Sequence, residues 1–84
     1  MSLISVFNRQ KSEPIRLLSR RHNYFPRCFM WRGEQYDVHH VVEAWTEVKR
    51  NTSRHFFRVR CREGIFDIYQ DIPLNAWYLA RQVE

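Results

Sequence analysis

The chain contains only two glycines, Gly33 and Gly64, and each stands between two runs that alternate apolar and polar residues. Around the first the sequence reads Phe29-Met30-Trp31-Arg32-Gly33-Glu34-Gln35-Tyr36-Asp37-Val38, and around the second Phe57-Arg58-Val59-Arg60-Cys61-Arg62-Glu63-Gly64-Ile65-Phe66-Asp67-Ile68. Alternation with a period of two marks a strand with one buried face. A glycine between two such runs supplies the positive φ that a tight reversal needs. The chain is thereby committed to antiparallel hairpins, and its other segments must add strands to them.

In the first hairpin, Gly33-Glu34 as the two loop residues gives a type II′ turn, with glycine at the first central position. Trp31 then faces Tyr36, Phe29 faces Val38 and Cys28 faces His39. A loop at Arg32-Gly33 slides this register but keeps Phe29, Trp31, Tyr36 and Val38 on one face. In the second hairpin, a Glu63-Gly64 loop sets Cys61 opposite Phe66, Val59 opposite Ile68, Arg60 opposite Asp67 and Arg58 opposite Tyr69. One face is apolar and the other charged, as in an antiparallel sheet solvated on one side.

The intervening segments fit the same scheme. Pro14 opens Ile15-Arg16-Leu17-Leu18-Ser19, a weakly alternating strand, and Arg20-Arg21-His22-Asn23 suits a turn. Pro26 favours an extended entry by disfavouring the helical region for the residue before it. The strand from Tyr36 keeps parity through Val38 but places Val41 and Trp45 out of phase. A bulge or sharp bend near residues 40–42 would account for this. A helix over residues 38–48 competes, since Val38, Val41, Val42, Trp45 and Val48 also fit a helical spacing, but the valine-rich composition and missing N-cap favour strand. Residues 49–54 read as a polar loop, residues 71–75 as a turn, and Trp77 and Leu79 head a last strand. Residues 1–13 show no sustained period and read as a flexible N-terminal arm before a single domain over residues 14–84.

These readings predict an all-β fold, a small antiparallel meander of five or six strands in a strongly curled sheet or open barrel. Eighty-four residues allow one core. Thirteen aromatics supply large side chains for it. Two cysteines are too few for a disulfide scaffold, and no apolar run approaches a membrane span, so a reducing, cytoplasmic setting is expected. The net charge is +5, and with Lys only at positions 11 and 49, twelve basic residues are Arg. Arg suits planar contacts to phosphate and carboxylate. Lineage bias toward Arg accounts for the composition equally well.

The segments Pro26-Arg27-Cys28-Phe29-Met30-Trp31-Arg32-Gly33-Glu34-Gln35-Tyr36-Asp37-Val38, Phe57-Arg58-Val59, Gly64-Ile65-Phe66-Asp67-Ile68-Tyr69 and Trp77-Tyr78-Leu79, with Trp45, resemble a bacterial family of short domains of unknown function. Its pattern is Phe-x-Trp-Arg-Gly-x-x-Tyr-x-Val, a later Trp, and a second hairpin ending near another Trp. The resemblance covers residues 14–83. Phe66 and Ile68 stand where that hairpin usually carries Tyr and Leu, a change neutral for packing. The resemblance implies no catalytic residues. Some members look linked to proteins related to translesion DNA polymerases, which implies a repair or replication partner.

The most suggestive chemistry is the row Arg58, Arg60 and Arg62. Residues two apart on a strand repeat every ~6.6–6.8 Å on one face, a spacing that could follow a phosphodiester backbone, with Tyr69 as a stacking platform. Arg50 and Arg54, with Lys49 and Arg20-Arg21-His22, could rim the same surface. Equally, the row is a solvated outer face balanced by Asp67, Glu43 and Glu47, and this bland reading carries more weight. Arg32 beside Trp31 suits a cation–π contact more than a ligand role. Cys28, Cys61, His22, His39, His40 and His55 lack metal-ligand spacing, and a Cys28–His39 nucleophile lacks an orienting third group. The three tryptophans read as core. No enzyme, metal or cofactor is expected. Two functions remain: a nucleic-acid-associated module binding DNA or RNA, or a protein-interaction adaptor or weak homodimer pairing through a sheet edge or aromatic patch.

Overall fold

The computed structural model describes residues 11–84. Six strands follow one another: β1 Glu13–Arg21, β2 Phe25–Trp31, β3 Glu34–Lys49, β4 Thr52–Cys61, β5 Gly64–Asp71 and β6 Ala76–Gln82. Each pairs antiparallel with the next, and β6 returns to β1 to close a barrel. The all-β expectation holds, and the segment that also fitted a helix lies within β3. The expected arm over residues 1–13 lies almost wholly outside the described residues, and β1 begins at Glu13. No helix is long and apolar enough to cross a membrane among the described residues.

The barrel is filled by Phe29, Phe57, Val59, Cys61, Phe66, Ile68, Trp77 and Leu79, with Ile15, Leu17, Trp31, Tyr36, Val38 and Val41 packed around them. All of the core residues except Phe29 come from β4, β5 and β6, where the alternation is most regular. Burying each such side chain contributes roughly 1.5–3 kcal/mol, so β4, β5 and β6 carry most of the stabilisation that the buried core provides.

The first hairpin takes the second of the two loops that the sequence allowed, and the second hairpin departs from its expected register by two residues. In the first, the loop is Arg32-Gly33, with φ of 52° and 79°. Positive φ at both positions is a type I′ turn, whose twist matches that of the strands it joins. Trp31 therefore lies opposite Glu34, Phe29 opposite Tyr36 and Cys28 opposite Asp37, replacing the Tyr36, Val38 and His39 partners expected of them. The shift brings the Phe29 and Tyr36 rings into a stack, 5.4 Å between centroids and 8° from parallel. In the second, the loop is Arg62-Glu63, and Cys61 pairs with Gly64, Val59 with Phe66, Arg60 with Ile65 and Arg58 with Asp67. Gly64 is thus not a loop residue. It meets the chain that follows β6: Ile65 donates its N–H to the Glu84 carbonyl at 2.6 Å, and Val83 donates to Ile65 at 2.6 Å.

The polar stretch 49–54 is also shorter as a loop than expected. Strands β3 and β4 run on to Lys49 and Thr52, leaving Arg50-Asn51 as the turn. Arg50 takes a positive φ of 49°, and Thr52 Oγ1 donates to the Lys49 carbonyl at 2.8 Å.

Strand β3 carries two bulges. Val38 pairs with Cys61 and His40 with Arg60, so His39 is an extra residue; Val41 pairs with Val59 and Glu43 with Arg58, so Val42 is another. Val38, Val41 and Ala44 then meet the buried Cys61, Val59 and Phe57 at three-residue intervals. That spacing explains why this strand imitated a helix. On β2 a corresponding irregularity leaves Arg27 extra, between the pairs Ser19–Cys28 and Arg20–Pro26. Bulges bend a strand and re-aim the side chains they carry. Here they part β2 from β3, whose pairing runs only from Trp31–Glu34 to Cys28–Asp37.

Candidate functional site

The outer face of β3–β6 is organised in rows across the strands. Trp45 pairs with Phe56, Phe56 with Tyr69 and Tyr69 with Tyr78. Their rings form a ladder, with centroid separations of 5.2, 4.8 and 5.2 Å. The neighbouring row is charged: Glu43 beside Arg58, Arg58 beside Asp67, Asp67 beside Arg81. Asp67 is fully buried, 0% exposed, although it lies on the outside of the barrel. Arg58 makes it possible, donating Nε to Oδ1 at 2.8 Å and Nη2 to Oδ2 at 3.1 Å. Arg81 donates to Oδ2 from the other side. The hydrogen bonds to Asp67, followed by its charge, hold the Arg58 guanidinium above its ordinary value.

This arrangement redistributes the residues expected to bind anions. Arg58 is already occupied by a buried carboxylate and lies over the Trp45 ring at 5.8 Å. Tyr69, the expected stacking platform, is buried, opposite Phe56 and not Arg58, and hydrogen-bonds Ser12 Oγ through its hydroxyl at 3.1 Å. Arg54 covers the same ring at 4.9 Å. Arg54, Arg58 and Tyr69 do come together, but inside a patch that also holds Glu43, Glu47, Asp67 and Asp71. The four acids offset the arginines there, although Arg54 makes no ion pair among the described residues and its Nε lacks a partner, so the patch as a whole offers little pull on a phosphate. Arg50 stands apart in the exposed β3–β4 turn. Arg62 is exposed in the β4–β5 turn and reaches Glu63 at 3.9 Å.

Arg60 is different. It is exposed, pairs with His40 on β3, and no described carboxylate lies within ion-pair distance of it. His40 in turn lines a groove of about 420 Å³ where β2 and β3 part. Its walls are Arg21 and His22 from the end of β1, Phe25, Pro26 and Arg27 from β2, and Val38 to Ala44 from β3. The three extra residues of the parting strands, Arg27, His39 and Val42, all face it. Arg21 and Arg27 are exposed and, among the described residues, make no ion pair. The one lining acid, Glu43, lies 3.7 Å from Arg58. The groove is therefore basic on an apolar floor of Phe25, Pro26, Val38 and Val41. Nothing in the strand alternation singles out Arg27 or His39. The available signal was the loss of parity between Val38 and Trp45, which marks where the strand leaves its neighbour.

At the end of the groove, Asp37 accepts from Gln35 at 3.1 Å. That bond, then one from the Cys28 thiol, lowers its carboxyl, with smaller contributions from His39 and Arg27. Burial, and then the Asp37 contact, push the Cys28 thiol up. Cys28 is thus partnered by a carboxylate and not by His39, and a raised thiol is the reverse of what a nucleophile needs. Cys61, in the core, is pushed up to about 12, chiefly by burial. Among the described residues, no group of three or more His, Cys, Asp or Glu side chains is arranged to hold a metal ion.

At the closed end of the first hairpin, Arg32 lies over the Trp31 ring at 4.7 Å, as its position beside that ring suggested. It also donates to both Glu13 oxygens, at 2.9 and 2.6 Å, while Trp31 Nε1 donates to Glu13 at 3.0 Å. This cluster ties β1 to the β2–β3 turn.

A family model for domains of unknown function matches residues 4–84. The chain belongs to the DUF6504 family. This family match spans all six strands of the barrel and every residue of the groove. No curated protein and no solved structure matches the chain.

Proposed function

We propose that this DUF6504 domain is a binding module that holds the phosphate backbone of nucleic acid in the groove between β2 and β3, without catalysing a reaction. The observation that carries the reading is the parting of β2 and β3, which lines one groove with Arg21, Arg27, His22, His39 and His40, with Arg60 beside it. Arginine forks match phosphate oxygens in pairs. The net charge of +5 adds long-range attraction. The resemblance to domains linked with translesion-type polymerases supplies a setting in which such a module would sit beside a repair protein.

The test is fluorescence anisotropy with short labelled oligonucleotides at ~50 mM salt, where electrostatic affinity is strongest. Micromolar binding is expected. With three arginines at phosphates, the slope of log K against log salt should lie near −2 to −3. Arg27→Glu and Arg60→Glu should each weaken binding and flatten that slope. Failure to bind at ~50 mM salt would sink the proposal.

A second reading rests on the barrel seam. Strand β1 pairs with β6 only at Glu13, Pro14 and Ile15, and its remaining residues run on beside a groove of about 660 Å³ lined by Arg16 to Arg20 and Trp77. An open strand edge of this kind accepts an added strand. If it pairs two copies, sedimentation will show a concentration-dependent dimer that a proline at Leu18 abolishes. A monomer at every concentration removes the dimer reading.

A further inference from the structure

We propose that the site prefers single-stranded over duplex nucleic acid, with Tyr24 as the side chain on which an unpaired base stacks. This rests on the backbone-binding reading above and adds the class of strand. Tyr24 is 40% exposed and is the only exposed aromatic among the described residues. The β1–β2 turn places it. His22 and Asn23 both have φ of 56°, a type I′ reversal, and Tyr24 N–H donates to the Arg21 carbonyl at 3.1 Å. Arg21 and Tyr24 thus stand across one tight turn, the first on the groove wall, the second just beyond it.

The ring is held on several sides. Phe25, Phe57 and His55 meet it at centroid distances of 4.8, 5.3 and 5.6 Å, with planes 83°, 72° and 66° apart. Phe25 itself lines the groove. No described ring lies parallel to Tyr24, whereas Tyr36, Trp45, Tyr69 and Trp77 each have a stacked partner. Tyr24 is thus a partly exposed ring, held by three neighbouring rings and without a face-to-face partner. Ordering it on binding loses little side-chain entropy, which favours its use as a stacking anchor. Duplex bases are already stacked on each other, while a single strand can splay one out while its phosphates remain in the basic groove. Stacking on one aromatic is expected to give a single strand about 5- to 100-fold in affinity.

The experiment compares a single strand, its duplex and an abasic single strand of equal length by anisotropy at ~50 mM salt. Wild type should bind the single strand most tightly and the abasic strand, equal in charge but without bases, about as weakly as duplex. Tyr24→Leu, which keeps apolar bulk against Phe57 but has no π face, should lose about 5- to 100-fold for the single strand and little for duplex. Tyr24→Phe should retain wild-type affinity. Thermal melts confirm that each variant is folded. Equal affinity for all three ligands, or an equal loss on all three in Tyr24→Leu, overturns the stacking role and leaves the electrostatic reading standing. Binding to none of them overturns both. The abasic comparison needs no variant, so the test survives if Tyr24→Leu fails to fold.

Discussion

Replacing Gly64 by alanine separates two uses of a glycine that look identical in sequence. As a turn residue it would tolerate a modest substitution. The barrel uses it instead as a crossing point. Its φ is +146°, and a Cβ built there would lie 2.3 Å from the Glu84 carbonyl oxygen, 2.9 Å from Gln82 Nε2 and 3.3 Å from the Glu84 carbonyl carbon. The glutamine amide ends a flexible side chain and can swing aside. The Glu84 carbonyl cannot retreat without losing the Ile65 N–H that it accepts at 2.6 Å. A side chain at this φ costs about 1–3 kcal/mol of backbone strain, and a lost hydrogen bond about 1 kcal/mol. The expected destabilisation is about 2–4 kcal/mol, out of about 5–10 for a domain of this size, with a fall in Tm of about 10–25 °C.

The control is Gly33→Ala. Gly33 has a φ of +79°, but a Cβ there meets nothing within 4 Å. Only the left-handed backbone penalty applies, about 1–2 kcal/mol. Urea unfolding followed by tryptophan fluorescence, with thermal melts by circular dichroism, gives both values. A third chain, ending after Gln82 and carrying Gly64→Ala, isolates the clash from the strain. Its penalty, relative to the same shortened chain with glycine, should be about 1 kcal/mol smaller than in the longer chain. If Gly64→Ala is no more harmful than Gly33→Ala, or if shortening the chain changes nothing, the crossing is not what requires this glycine.

The contact of Glu13 with Arg32, and then with Trp31, lowers its carboxyl below the usual range. The unfolded chain therefore binds a proton here that the folded chain resists, so the stabilisation is present above about pH 4.3 and is lost as pH falls through the lower, folded value. Urea midpoints between pH 6 and 3 should fall less steeply in Glu13→Gln than in wild type; parallel curves would refute this. Asp67→Ala should destabilise by about 1–3 kcal/mol, because it leaves Arg58 and Arg81 facing each other without their carboxylate, in part screened by solvent; an unchanged melt would contradict the ion pairing. Arg58→Met should leave oligonucleotide affinity within about twofold while Arg60→Glu reduces it, and the reverse pattern would return the binding surface to the outer sheet face. Cys61, with its thiol near 12, should resist alkylation at pH 8 until the chain is unfolded by urea, and rapid native labelling would show that the core opens there.

What could be read from the sequence follows from what a period of two can encode. Faces were legible: Phe29, Trp31, Tyr36 and Val38 point inward together, as do Phe57, Val59 and Cys61. Register was not, because sliding a hairpin by two residues leaves every side chain on its face. Both hairpins show that a glycine does not by itself fix its place in the loop. Gly33 takes the second loop position with Arg32 in a left-handed conformation before it, and Gly64 takes none. The arginine row shows a further limit. Alternation indicated that Arg58 and Arg60 lie outside the barrel, but not that Asp67, one strand away, would be buried under Arg58 while Arg60 goes unpaired. Which arginine is free depends on the neighbouring strand, and therefore on the register that the pattern leaves open.

The residues that broke the pattern are the ones that line the groove. A bulge leaves one residue out of the ladder, and curling a small barrel accounts for some bulges in this chain. Leu18 on β1 and Ala80 on β6 are extra residues of that kind, small or apolar and suited to a bend. Arg27 and His39 are not: a bend needs neither a guanidinium nor an imidazole, and both project into the space that the bend opens. Closing β2 against β3 would have continued the ladder and placed these groups on an ordinary outer face. Leaving the strands apart forgoes those hydrogen bonds and gathers basic groups over an apolar floor, with Tyr24 beside it. Local rules give way most readily where a chain serves something other than its own stability, which is why the binding proposal rests on the groove between β2 and β3.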